Sequence, residues 1–274
     1  MPVGKNLGKV NMKRKIYDKL LQWKNEKDGT TALMIEGARR IGKSYIAERF
    51  AEKEYESYIL IDFSKAPARV RGWFDEYLED IDTLLQNIQL HYKKKLTPRK
   101  SLIIFDEVQK CPRAREAIKA LVEDHRFDYI ETGSLISIKK NVDDILIPSE
   151  EDGIEMYPMD FEEFMWAMGD EVMYPYIRKC FETNKPMGDF HREAMRYFRQ
   201  YLIVGGMPQA VKEYVNSKDF NKVDAIKRQI LRLYRNDIKK YAGSAKTKVS
   251  SIFEAIPGQL QKNEKKFKLA DLND

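Results

Sequence analysis

Cysteine is scarce in this sequence. Only Cys111 and Cys180 occur in 274 residues, far apart and outside any CxxC or Cys/His pairing. That excludes a disulfide framework and a cysteine-based zinc site as organising features. Histidine is equally thin: His91, His125 and His191 are scattered, with no zinc-ligand spacing among them. No apolar run approaches the roughly 18–20 residues needed to cross a bilayer. The opening "MPVGKNLGKVNMKRKIYDKLLQWKNEK" is basic but has neither an apolar centre nor a small-residue cleavage site, so it is not a secretory signal. A cytoplasmic location without a membrane partner is the expectation. Internal repeats and low-complexity linkers are missing as well. Nor is charge one-sided: 49 Lys and Arg stand against 43 Asp and Glu, a net +6 spread along the chain. That is a weak pointer to acidic partners such as nucleic acid.

What is present is a soluble, globular composition, 43% hydrophobic and 34% charged, long enough for one large domain or two modest ones. Ile16, Leu20 and Trp23 recur at helical spacing over 12–27, ended by Asp28-Gly29. "TALMIE" (31–36), "SYILIDF" (57–63), "KSLIIFDE" (100–107) and "FDYIETGS" (127–134) are short, apolar and bounded by turn residues, as buried strands are. Helical stretches separate them at 43–55, 80–95 and 112–124, the last with proline in its first turn. "GIEMYP" (153–158) is a possible fifth strand. Alternating strands and helices predict an α/β fold, a parallel sheet with helices on both faces. From "MDFEEFMWAMG" onward the patterns are helical, longest at 189–203 and 219–242.

Gly37-Ala38-Arg39-Arg40-Ile41-Gly42-Lys43-Ser44 satisfies G-x-x-x-x-G-K-[ST], between a predicted strand and a predicted helix. Glycines at its ends let successive N–H groups turn inward onto phosphate oxygens, and the following helix adds its positive dipole end. Lys43 reaches the β- and γ-phosphates of ATP, and the Ser44 hydroxyl suits Mg²⁺. With Tyr45, residues 37–45 form the expected nucleotide-binding set. About 60 residues on, Asp106-Glu107 end an apolar strand at the edge where doubly wound sheets bind ligands. Asp106 is expected to support Mg²⁺ and Glu107 to polarise the attacking water. In "YIETGS", Thr132 and Ser134 reach the same edge, either to sense the γ-phosphate and orient water or simply to end a strand.

Several assignments stay open. Arg39, Arg40, Arg113, Arg115 and Arg126 all lie near plausible edges, so no arginine finger can be chosen. Arg39 and Arg40 can contact phosphate, solvent or a neighbouring subunit. Asp62 reads as structural. "YLIVGGMPQAVKEY" (201–214) is an inter-helix corner or a lid hinge near the nucleotide base, and "MYPMDFEEFMWAMG" (156–169) reads chiefly as packing, with Phe161, Phe164 and Met165 on its core face. The end, "SSIFEAIPGQLQKNEKKFKLADLND", carries apolar anchors (Ile252, Phe253, Ile256, Leu260, Phe267, Leu269, Leu272) that stop before they could close a core: the segment either packs onto the helical part or, the favoured reading, belongs to a fragment of something longer.

In order and spacing, GARRIGKS, LIIFDEVQ, ETGS, YPMDFEEF, GGMPQAV and LYRNDIKKYA resemble a prokaryotic group of AAA+/STAND-like P-loop ATPases across essentially the whole chain. The resemblance implies an N-terminal helix over 1–30 packing on an ATPase core at 31–160. A helical lid then follows over 161–242, and 243–274 begins a winged-helix-like domain that a nuclease-like domain follows in the group. It implies ATP or ADP as ligand with Mg²⁺, a homo-oligomer as one arrangement, and DNA as a partner only through that further domain. Three functions fit: an ATPase, a slowly hydrolysing nucleotide switch acting on a partner, and a small-molecule kinase. The DE pair after a long apolar strand and the helical C-terminal region favour the first two.

Overall fold

The computed structural model describes residues 12–134 and 150–261. Two compact units divide the chain, residues 1–220 and 221–274. In the first, five strands form one parallel sheet: β1 (Ala32–Gly37), β2 (Ser57–Asp62), β3 (Ser101–Asp106), β4 (Asp128–Ser134) and β5 (Glu151–Met156), in the order β2-β3-β4-β1-β5. Strand β3 is buried along its whole length. Covered on both faces, it can be a continuous apolar run rather than an alternating one.

Helices α1 (Ile16–Lys27) and α2 (Lys43–Glu54) cover one face, where Leu20, Trp23, Ile46 and Phe50 pack on Leu33, Ile35, Ile104 and Ile130. On the opposite face, α3 (Ala68–Glu76), α4 (Ile81–Tyr92), α5 (Pro112–Glu116) and α6 (Ile118–Glu123) bury Trp73, Phe74, Leu84, Ile88 and Leu121 against Ile59, Ile103, Phe105 and Tyr129. The aromatic centre of that layer is Phe63, Phe74 and Phe105, with ring centroids 5.5–5.6 Å apart. The single helix expected over 112–124 is broken at Ala117. Ala114, Ala117, Ile118 and Leu121, at one-face helical spacing, are all fully buried, and Ala117 itself keeps helical backbone angles (φ −66°, ψ −19°). Both cysteines are free and buried.

After β5 the first unit continues in helices α7 (Phe161–Ala167), α8 (Met173–Glu182), α9 (His191–Val204) and α10 (Pro208–Ser217). Helix α7 opens with a capping box: Asp160 accepts from the Glu163 N–H, and Glu163 accepts from the Asp160 N–H. Phe164 and Met165 are buried, whereas Phe161 is half-buried against Tyr174, Phe198 and Tyr201. Gly205-Gly206 forms the corner between α9 and α10. The Gly206 carbonyl accepts from the Met159 N–H at 2.7 Å, and a Cβ on Gly206 would stand 2.1 Å from the Met159 carbonyl oxygen. Only glycine fits that contact.

The second unit contains most of α11 (Phe220–Tyr241), followed by α12 (Lys246–Gln261). Arg235 on the first grips Glu254 on the second with two hydrogen bonds, at 2.6 and 3.1 Å. The anchors Ile252, Phe253, Ile256 and Leu260 lie on α12; Phe267, Leu269 and Leu272 lie outside the described residues. Among the described residues, no helix is long and apolar enough to cross a membrane.

Candidate functional site

Parallel register determines which strand ends meet. Gly37 aligns with Ser134 and with Met156, and Asp62 aligns with Asp106. The carboxyl edge of the sheet therefore gathers the loop after β1, Asp106-Glu107 after β3 and the Thr132–Ser134 end of β4. Loop 37–42 reverses sharply, with left-handed backbone at Gly37 (φ 148°), Arg40 (φ 67°) and Gly42 (φ 98°). Gly37 meets a second constraint, because a Cβ there would lie 2.2 Å from the Met156 carbonyl oxygen. Ile41 turns its side chain wholly into the core, so only its backbone belongs to the site.

Lys43, at the first turn of α2, is 6% exposed and donates to the carbonyls of Gly37 (3.0 Å) and Ala38 (2.9 Å). Burial lowers its pKa from the usual lysine range and Arg39 adds to this, while Glu107 and Asp106 oppose it. Ser44 and Thr132 both donate to the same oxygen of Asp106, at 2.6 and 2.5 Å. Thr132 also accepts from the Glu107 N–H at 3.3 Å. Glu107 itself is left-handed (φ 56°), uncommon for a non-glycine residue, and its carboxylate accepts from Gln109 Nε2 at 2.6 Å.

These groups open onto a cleft of about 630 Å³. Arg39, Arg40, Lys43, Ser44 and Tyr45 form its floor. Met12 and Arg14 come from the N-terminal segment, Lys65 and Glu107 from strand ends, and Pro208, Gln209 and Lys212 from the start of α10. Six cations, Arg14, Arg39, Arg40, Lys43, Lys65 and Lys212, line this wall with the Glu107 carboxylate; Arg14 is paired with Glu163 and Lys65 with Asp62, and the balance stays positive. Such a field suits a polyanion.

Every residue from Gly37 to Tyr45, with Asp106, Glu107 and Thr132, thus lies at one edge. Arg40 Nη1 donates to Gln209 Oε1 at 3.0 Å, so this loop arginine reaches the 208–212 corner. The GGMPQ stretch is an inter-helix corner and a cleft wall at once. Arg113, Arg115 and Arg126 are engaged elsewhere, with Asp75 and Glu116, with Glu151, and with Asp82 and Asp124. Asp62 accepts from Ser64 and Lys65 in the turn after β2. Sequence reasoning missed Arg14 and Lys65, and included Gln109, Gln209 and Lys212 only within LIIFDEVQ and 201–214, without individual roles. Arg14 and Lys65 are lost among solvated charges, while Gln109 carries a local signal, two residues beyond the DE pair.

The sequence profile of a family described as an AAA domain matches residues 29–165, half of the chain. The chain belongs to this AAA-domain family. The AAA domain spans β1 to α7 and holds the loop and the carboxylate pair. A second family, described as a domain of unknown function, matches residues 195–274. No curated protein matches the sequence. Among solved structures, the AAA chain is similar to the Walker-type ATPase Paby2304 of Pyrococcus abyssi (16% identity, TM-score 0.47, 91% of this chain and 78% of that one). It is similar also to AMPPCP-bound DnaA from Aquifex aeolicus (11% identity, TM-score 0.46, 94% and 81%). A third is the Aeropyrum pernix Orc1 protein in complex with DNA (10% identity, TM-score 0.42, 97% and 83%). AAA-domain membership supports nucleotide binding.

Proposed function

We propose that this AAA domain binds ATP with Mg²⁺ in the cationic cleft and hydrolyses the terminal phosphate. The observation that carries the reading is the Ser44–Asp106–Thr132 cluster on one carboxylate oxygen, with Glu107 beside it and the 37–43 loop facing it. A hydroxyl and a carboxylate are hard oxygen donors, the kind Mg²⁺ takes from protein when phosphates complete its shell. Ser44 and Asp106 would hold the ion, which supplies charge neutralisation at the β- and γ-phosphates. Lys43 exchanges its two carbonyl partners for phosphate oxygens. Glu107 accepts the proton of the attacking water, and Thr132 lies where the γ-phosphate end is read. Arg39 and Arg40 add positive charge to the floor, and the Tyr45 ring borders the same space. Functionally, helix α1 within 1–30 supports the core at 31–160, 161–242 acts as a lid, and 243–274 belongs to a further domain through which DNA would be met. The protein works as a cytoplasmic ATPase whose nucleotide state moves the lid.

One observation favours the slow switch as a second reading. Gln109 holds the Glu107 carboxylate at 2.6 Å, so the base must leave that hydrogen bond to serve water. ATP turnover by wild type and Glu107→Gln, with and without DNA, separates the two. The ATPase reading expects wild-type turnover and a loss of at least ~100-fold in Glu107→Gln with nucleotide binding retained. Near-zero turnover in both proteins leaves the switch. Unchanged ATP binding in Lys43→Ala would refute the phosphate cradle itself.

A further inference from the structure

The loop that forms the cleft floor is held from behind by a side chain outside the G-x-x-x-x-G-K-S pattern. Arg14, 5% exposed, donates from Nη1 to the Ile41 carbonyl at 2.8 Å and from Nη2 to the Tyr157 carbonyl at 2.6 Å. Its Nε lies 3.1 Å from Glu163 Oε1, and both side chains of this ion pair are buried. Glu163 is fixed in turn: it accepts from the Lys15 N–H at 2.7 Å and closes the capping box of α7. The guanidinium therefore ties together the N-terminal segment, the phosphate loop, the end of β5 and the start of the helical region.

We infer that Arg14 is a positioning residue that sets the phosphate loop in its binding shape. A trans peptide is planar, with its C=O and N–H pointing in opposite directions. Anchoring the Ile41 carbonyl therefore fixes the direction of the Gly42 N–H, a donor of the nest that takes phosphate. Arg14 Nη1 also lies 3.8 Å from where a Gly42 Cβ would stand, directly against that peptide. The opposite end of the loop is fixed too, by the contact between Gly37 and the Met156 carbonyl. Two fixed ends hold left-handed Arg40 in a loop that would otherwise lose conformational freedom only when ligand binds. Lysine cannot reproduce this, since a compact ammonium has no planar fork for two divergent carbonyls.

The inference rests on the cleft being a nucleotide site, and the test separates the two. Affinity for a fluorescent ATP analogue with Mg²⁺, kcat and KM for ATP, and the thermal midpoint without nucleotide are measured for four proteins. These are wild type, Arg14→Lys, Glu163→Gln and the double variant Arg14→Met/Glu163→Gln, which leaves no unpaired buried charge. Expected is at least a tenfold rise in Kd and KM in Arg14→Lys and in the double variant, with kcat within threefold of wild type. Glu163→Gln keeps the Ile41 hydrogen bond and should lower the thermal midpoint while Kd stays within threefold. Equal Kd in wild type and Arg14→Lys overturns the inference, even if the double variant binds weakly, because charge alone would then account for the effect. Glu163→Gln weakening binding as much as Arg14→Lys overturns it too, by tracing the loss to stability. Absence of binding in wild type refutes the nucleotide site and the inference with it.

Discussion

Glu131 offers a quantitative test of the interior behind the cleft. It sits in the middle of β4 between Met34 of β1 and Phe105 of β3, wholly buried, one residue before Thr132. Beside it, Arg115 binds Glu151 through two N–H groups, at 3.2 and 2.8 Å, and both of those side chains are buried. One cation thus faces two carboxyl groups. Burial first, and the adjacent Glu151 carboxylate second, hold the Glu131 carboxyl well above the ordinary value of 4.5, with Arg115 opposing. A raised folded pKa favours the folded state at low pH, and that contribution is lost as pH rises from about 4.5 toward the folded value. The limiting slope is about 1.4 kcal/mol per pH unit, since folding then takes up one proton. Glutamine has nearly the same shape and cannot ionise. Relative to wild type, Glu131→Gln should therefore gain stability as pH rises above about 4.5, by at most the limiting slope, until the folded carboxyl titrates. Urea titrations at half-unit steps measure this, followed by the fluorescence of Trp23, Trp73 and Trp166, which all lie in the first unit. Parallel stability curves for the two proteins across pH 5–7 would refute the protonated carboxyl.

Two further expectations concern the elements that bring the helical region to the cleft. Gly206→Ala forces a methyl group to within 2.1 Å of the Met159 carbonyl and strains the 2.7 Å hydrogen bond at the same corner. It should cost about 2–4 kcal/mol in urea unfolding, overpacking plus one hydrogen bond. A change below half a kcal/mol would show that the corner yields freely. Asp160→Ala removes one side of the capping box and should cost about 1 kcal/mol in the same measurement, leaving the cleft's cations in place.

The sheet was legible because each strand is a short apolar run ended by turn residues, and burial on both faces removes the ambiguity of alternation. The loop was legible for a different reason: its glycines, lysine and serine are each required by geometry at a fixed spacing. Helix 112–124 was legible from its proline start and from Ala114, Ala117, Ile118 and Leu121 at one-face spacing, whereas the one-residue interruption at Ala117 has no local signal. "MYPMDFEEF" reads as packing. Yet the Tyr157 carbonyl and Glu163 meet Arg14 across more than 140 residues, and no local pattern encodes such a pairing. Arg14 itself sits in "MKRKIYDK", where a buried fork and a solvated charge look the same. Glu131 is hidden in the opposite way, as one acidic letter in the middle of a buried strand.

The same logic explains why the loop arginines resist assignment from sequence. Phosphate binding needs converging backbone N–H groups and one reaching lysine, and those are complete without Arg39 or Arg40. What the arginines can do depends on the wall opposite, which is set by the Gly205-Gly206 corner some 165 residues away in sequence. Because Gly206 packs directly on Met159, α10 starts where Gln209 can accept from Arg40. An arginine with φ of 67° adopts a backbone that disfavours side-chain-bearing residues, at a cost of about 1 kcal/mol. The Gln209 contact gives that conformation a partner on the helical side, while Arg14 holds the next residue from behind. Between these two restraints, the 37–42 loop is tied to the first turn of α10 through Arg40 and to the N-terminal segment through Ile41.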